Sequence, residues 1–213
     1  MSRPEEPPVG ERIREERTKR GVSLRGLARD VGVSASLISQ IETGKCRPSV
    51  STLYALTTAL GVSIENVFES PAADHSGLVA VTASSPAPAL APLANLAVLA
   101  GRDAGPLTRP GAREVLELDS GVTWERLGHV PGIHVDFLRV TYPPGGSSSA
   151  VGELMRHSGA EYGYLMEGEL ILTLGTAEHR LMAGDSVSFP SSTPHRYRND
   201  APRPAVGIWF VAE

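Results

Sequence analysis

From Ser76 to Gly101 the chain carries no charged residue, yet Pro86, Pro88 and Pro92 break this stretch in its middle. No regular helix runs through such a cluster with its backbone bonds intact. The same prolines, diluted by Ser, Thr and Asn, argue against a membrane span, because lipid offers nothing to the freed backbone groups. The stretch therefore divides the chain. Before it, apolar residues recur with helical spacing; after it, they alternate by twos. The expected organisation is a helical domain over residues 9–69, an Ala/Pro-rich linker over 70–111 and a β-rich domain over 112–213. Within the linker, Leu78-Val79-Ala80-Val81 and Leu96-Ala97-Val98-Leu99 are apolar enough to form short strands on the following domain. A length of 213 residues is enough for two small domains, each with its own core.

Charge adds a weak constraint. The net charge is −4, but residues 1–69 hold ten basic against nine acidic residues. A first domain near neutrality permits contact with a polyanion without demanding it. A single cysteine, Cys46, excludes an intramolecular disulfide. The N-terminal residues are polar and proline-rich, with no apolar run of the secretory kind, so the expectation is a soluble cytoplasmic protein with no membrane partner.

Five helical stretches are punctuated in the first domain. Val9 to Lys19 ends before Gly21, and Ser23 caps a helix that buries Leu27, Ala28 and Val31 up to Gly32. Ser34 caps a third helix to Glu42, with Gly44 as its C-cap. Pro48-Ser49 introduces a fourth through Leu53, Leu56 and Leu60 to Gly61, and Ser63 opens a last turn through Ile64 and Phe68. The third helix is the informative one. Leu37, Ile38 and Ile41 make its core face, which leaves Ala35, Ser36, Ser39 and Gln40 outward. Small and polar side chains let a helix sit deep in a major groove, and Gln40 offers both a donor and an acceptor to an adenine edge. The alternative reading is the solvated face of any small bundle. Cys46, in the loop beyond, would need a lowered pKa to act as a redox sensor.

The second domain shows nine short alternating runs from Val115 to Val211 broken by turn residues, the pattern of a sandwich or barrel. His157, Glu161 and His195 stand out. Two imidazoles and one carboxylate can hold a metal and leave coordination positions open; the plain alternative is three polar loop residues. By period two, Tyr197 and Asn199 share a face with His195, whereas Tyr162 and Tyr164 point away from that of Glu161 and suggest packing. Trp209 reads as core or interface.

The run Gly21-Val22-Ser23-Leu24-Arg25-Gly26-Leu27-Ala28, with Gly32-Val33-Ser34, Leu37-Ile38-Ser39-Gln40-Ile41-Glu42-Thr43-Gly44-Lys45, Pro48-Ser49 and Ala59-Leu60-Gly61-Val62, resembles the phage-repressor-type (xenobiotic-response-element) helix-turn-helix family. The resemblance implies that the helix opening at Ser34 is a recognition helix. It places base-reading positions on Ala35, Ser36 and Gln40, with Ser39 on the same face, and phosphate contacts on Ser34 and Lys45. Leu24 stands where many members carry a phosphate-contacting Gln, and Arg25 beside it can substitute. It also implies an ion pair between Arg17 and Glu42.

Residues Pro144-Gly145-Gly146, His157-Ser158-Gly159-Ala160-Glu161 and Tyr164-Leu165-Met166-Glu167-Gly168 resemble the first motif of the cupin superfamily. Gly184-Asp185, Phe189-Pro190, Pro194-His195 and Asn199 resemble its second. What this implies is an α + β two-domain protein, a five-helix bundle followed by a double-stranded β-helix barrel. His157, Glu161 and His195 then form a ligand set for one divalent ion (Fe, Mn, Ni or Zn), or polar lining in a barrel without metal. Met155 takes the place of the first motif's leading His and Ser192 that of the second motif's Gly. Met155, Tyr197 and Asn199 become candidates for lining an effector pocket. The function implied is a sequence-specific regulator that binds a pseudo-palindromic DNA operator as a homodimer paired through the barrels and senses a small-molecule effector. The alternative is a mononuclear non-haem iron oxygenase or epoxidase of the same build, similar to hydroxypropylphosphonate epoxidase.

Overall fold

The computed structural model describes residues 9–68, 107–130, 133–150 and 153–212. Most of the expected linker, 70–106, with its two candidate strands, lies outside the described residues.

Five helices open the fold: α1 (Val9–Lys19), α2 (Leu24–Val31), α3 (Ala35–Glu42), α4 (Val50–Leu60) and α5 (Glu65–Phe68). The last is a single turn, so the bundle consists of four full helices and a short fifth. Local chemistry sets their ends. Ser23, Ser34 and Ser49 each accept a hydrogen bond from the backbone N–H three residues on, that of Gly26, Leu37 and Thr52. Gly32 and Gly61 close α2 and α4 in the left-handed conformation, with φ of 79° and 60°. Helix α3 differs slightly from expectation, because Thr43 is its C-cap and Gly44 follows it at φ 66°. Leu27, Ile38, Ile41, Leu53, Leu56 and Phe68 fill the core. Helix α1 crosses the end of α3 so closely that a Cβ on Gly10 would lie 2.0 Å from the Ile41 carbonyl oxygen.

Among the described residues, the second domain is a two-sheet antiparallel barrel of nine strands. They are β1 (Val115–Glu117), β2 (Thr123–Gly128), β3 (Val135–Tyr142), β4 (Ala160–Glu167), β5 (Glu169–Leu174), β6 (Ala177–Met182), β7 (Ser186–Pro190), β8 (His195–Arg198) and β9 (Ala205–Ala212). One sheet has the order β1-β2-β3-β9-β4-β7 and the other β6-β5-β8. Non-sequential neighbours such as β3-β9-β4 bring residues far apart in the chain onto one inner face. Alternation then aims Leu138, Val140, Glu161, Leu165, Trp209 and Val211 inward.

The two domains touch directly. The Ser51 N–H donates to the Ser148 carbonyl (2.9 Å), the Asp119 N–H donates to the Pro48 carbonyl (3.0 Å), and Arg47 pairs with Glu117 at 2.7 Å. The Arg126 guanidinium lies 5.4 Å from the centre of the Phe68 ring. Among the described residues no helix is long and apolar enough to cross a membrane.

Candidate functional site

Helix α3 is held from beneath by its apolar side and by one ion pair. Ile38 and Ile41 are fully buried, and Glu42 is buried with them. Arg17 meets the Glu42 carboxylate with two nitrogens, Nε to Oε1 at 2.5 Å and Nη2 to Oε2 at 2.9 Å, while its Nη1 donates to the Val22 carbonyl at 2.9 Å. The Glu42 hydrogen bond raises the Arg17 pKa above its ordinary value, against a smaller opposing effect of burial. The other side of α3 is open. Ser34, Ser36, Ser39, Gln40 and Lys45 are exposed, as is Arg25 on α2, and Ala35 is half-buried against the core. Cys46 is half-buried, and burial followed by the nearby Asp119 charge pushes its thiol pKa up, away from a reactive thiolate.

Inside the barrel, His157, Glu161 and His195 come together with their ligand atoms all within 4.8 Å of one another. The residues are nearly inaccessible, at 7%, 2% and 0% exposure. His157 Nδ1 lies 3.0 Å from the Ser158 carbonyl and His195 Nδ1 lies 2.8 Å from that of Thr193. A carbonyl only accepts, so both Nδ1 atoms carry the proton and both Nε2 atoms face the carboxylate. His157 Nε2 and His195 Nε2 each lie 2.8 Å from the same oxygen, Glu161 Oε1. The second approach is off the line a hydrogen bond needs, which leaves His195 Nε2 buried without a partner among the described residues.

Two nitrogen lone pairs and an anionic oxygen so close require a positive centre between them, a proton or a metal ion. Nδ1 atoms anchored on carbonyls and Nε2 atoms converging on a carboxylate are what an imidazole-binding divalent ion uses. The donor set therefore fits a metal. With a proton as that positive centre, burial works against the charged Glu161, but the closeness of protonated His157 and then of His195 outweighs it and holds the carboxyl at about 2.

Glu161 is oriented from its other side. Tyr197 Oη donates to Glu161 Oε2 at 3.0 Å, and Trp209 Nε1 donates to Tyr197 Oη at 3.2 Å. Burial, then the Glu161 charge, raises the Tyr197 phenol well above its usual pKa, so it remains a donor. The indole reaches this place because β4 carries Gly163, where a Cβ would come within 2.7 Å of the Trp209 ring.

Val50, Tyr54, Trp124, Leu138, Val140, Tyr142, Met155, Glu161, Tyr197, Trp209 and Val211 line a cavity of about 20 Å³. Met155 and Tyr197 are both on this lining. Asn199 is not. Its Nδ2 donates to the carbonyls of Tyr142 and Arg203 (both 2.8 Å) and its Oδ1 accepts from the Ala201 N–H, so the side chain builds the β8–β9 loop. Period two fails there because β8 ends at Arg198. Trp209 lines the cavity as well as packing, and Tyr162 and Tyr164 are half exposed and outside this chain's core.

Two lining residues, Val50 and Tyr54, come from α4 of the helical domain and were not expected from the sequence. The Tyr54 ring stacks on His157 with centroids 4.0 Å apart and planes 5° from parallel, and meets Trp124 edge-on at 5.7 Å. The available signal was that α4 carries no charged residue and that Val50 and Tyr54, one turn apart, add apolar positions beside the Leu53, Leu56 and Leu60 stripe.

The arrangement defines a class: a helix-turn-helix bundle whose capped third helix faces outward, joined to a cupin barrel with a buried His/Glu/His cluster. The helix-turn-helix domain family model matches residues 8–67 and the cupin domain family model matches residues 138–211. Together they give the chain the two-domain build of helix-turn-helix and cupin transcriptional regulators, to which it is similar. It is 27% identical over 192 residues to the HTH-type transcriptional regulator PuuR of Escherichia coli, covering 89% of this chain and 86% of that one. Over 60 residues it is 42% identical to an uncharacterized transcriptional regulator of Rhodospirillum rubrum, covering 28% of this chain and 56% of that one. In fold it is similar to a helix-turn-helix transcriptional regulator from Vibrio cholerae, with a TM-score of 0.61, 20% identity and coverage of 97% and 96%.

Proposed function

We propose that this regulator reads a specific DNA operator with α3 and takes its signal from a small molecule in the cupin barrel. The observation that carries the reading is the exposed Ser36, Ser39 and Gln40 face, flanked by Ser34 and Lys45, on a helix whose opposite side is locked by Ile38, Ile41 and the Arg17–Glu42 pair. Ser36 and Gln40 read base edges; Ser34, Lys45 and Arg25 hold the phosphates. One such helix covers few bases, so two copies act on a two-fold site. The copies pair through the outer face of the larger barrel sheet, where Phe137, Phe210 and Tyr162 lie in register across β3, β9 and β4 and the two phenylalanine rings stack at 4.4 Å.

In the barrel, His157, Glu161 and His195 hold one divalent ion, iron, manganese, nickel or zinc. Such an ion supplies Lewis acidity and open positions for the oxygen or nitrogen of an effector. The protein's part is to fix both imidazoles through Ser158 and Thr193 and to orient the carboxylate through Tyr197. The site serves binding without turnover, since a DNA response needs only a shift between two states. Selection of bound sequences from a random DNA pool by the purified chain tests the reading: an enriched two-fold motif is expected, and an unenriched pool defeats it. Oxygen consumption on adding iron(II) and an organic substrate would move the site to oxygenase chemistry.

A further inference from the structure

The barrel cavity is finished by the DNA-binding domain. Eight of its lining side chains are apolar or aromatic groups of the barrel or belong to the Tyr197–Glu161 pair of its site, and what remains of its wall is Met155 with Val50 and Tyr54 of α4. With Tyr54 flat on His157, the space left is about 20 Å³. That admits a water, which needs roughly 10–15 Å³. Pockets that hold organic ligands run to about 300–1,000 Å³. The docked arrangement therefore leaves no room for an organic effector in this cavity.

We propose that Val50 and Tyr54 plug the barrel pocket, so that an organic effector enters only by displacing α4, and effector binding competes with docking of the DNA-binding domain. This rests on the reading that the barrel takes an effector, and it says how that signal reaches α3. A ligand shifts an equilibrium only if it binds the two states differently. Here the difference is steric and direct: the ring of Tyr54 and the effector occupy the same place. Helix α4 packs on α2 of the same bundle, so α3 moves with it as the bundle leaves the barrel. Among the described residues, the contacts between the domains beyond Val50 and Tyr54 include the Arg47–Glu117 pair, two backbone hydrogen bonds and the Arg126–Phe68 contact. Such an interface opens without unfolding either side. The vacated space is flat against His157, edged by Trp124 and continuous with the triad. It suits a small molecule with a planar or hydrocarbon body and a polar end toward Glu161 and His195.

The chain carries its own reporters. It has two tryptophans, Trp124 and Trp209, and both line the pocket at 3% and 5% exposure. Acrylamide, a neutral organic quencher larger than water, is the probe, and the full chain is used throughout. Docked α4 shields both indoles, so wild type should quench weakly and Tyr54→Ala several-fold more strongly. Tyr54→Phe, which keeps the stacked ring, should match wild type. Glu117→Lys sets a lysine against Arg47 and touches no pocket residue, so it should raise quenching in the same direction. If Tyr54→Ala loses its helical circular dichroism, Glu117→Lys carries the test. Wild-type quenching in the folded variants overturns the plug. An unenriched DNA pool would defeat the regulator reading and leave the quenching result standing, whereas flat quenching beside an enriched motif removes the plug alone.

Discussion

Removing the ion pair beneath α3 should unfold the helical domain asymmetrically. Arg17 and Glu42 join the C-terminal parts of α1 and α3, with side chains 13% and 4% exposed. Breaking a buried pair from one side costs about 3–5 kcal/mol, because the partner's charge is stranded. In Arg17→Ala the stranded group is the nearly inaccessible Glu42 carboxylate, and the Val22 carbonyl loses its donor too. The full range applies there. In Glu42→Ala the stranded group is a long arginine that is already partly solvated and can carry its guanidinium to water, so about half that cost is expected. A domain of this size shifts its melting temperature by about 4–8 °C per kcal/mol, which puts Arg17→Ala at least about 12 °C below wild type. The assay is thermal melting followed at 222 nm, where the helices dominate. The double variant Arg17→Met with Glu42→Leu should recover most of the loss, since an apolar pair of similar volume leaves no charge behind. Equal melting of Arg17→Ala and wild type, or a double variant no better than the worse single one, would refute this account of how α3 is held.

On the DNA side, Gln40→Ala should relax base preference at one position of each half-site by about 1–3 kcal/mol, while Lys45→Ala weakens all sequences alike and flattens the salt dependence; equal loss on operator and random DNA for Gln40→Ala would reject its base-reading role. In the barrel, Tyr197→Phe removes the donor to Glu161 Oε2 and should lower affinity for divalent metal about 10–100-fold by titration calorimetry, with His157→Ala losing the metal outright. Metal uptake unchanged in both variants would leave these residues as polar lining. Phe210→Glu places a charge in the outward-facing Phe137–Phe210–Tyr162 row and should shift the full chain toward monomer in sedimentation; an unaltered dimer would place the contact elsewhere.

The helical domain was legible because its signals are local. A serine that caps a helix acts on an N–H three residues away, and a glycine that stops one acts through its own φ, so Ser23, Ser34, Ser49, Gly32 and Gly61 show their roles without knowledge of the fold. The strands were legible for the same reason, since alternation is set within each run. Convergence of His157, Glu161 and His195 was legible only through the cupin resemblance, because spacing along a chain says nothing of which strands become neighbours.

What the sequence by itself determined, then, is where each helix and strand lies, which side of α3 faces outward, and which three residues are candidates to hold a metal. Tertiary structure decided the rest of the site. The β4–β9 pairing, between strands some forty residues apart, sets Trp209 over Gly163 and against Tyr197, which in turn aims the Glu161 carboxylate. The end of β8 at Arg198 turns Asn199 from the pocket into the loop, where three backbone groups hold its amide. Tyr54 reads as one more apolar residue on α4 until the domains dock, and only then does it lie flat on His157. Periodicity reports the face a residue occupies on its own element, whereas contact depends on where a different element has been placed, and that position is the outcome of packing across the whole chain.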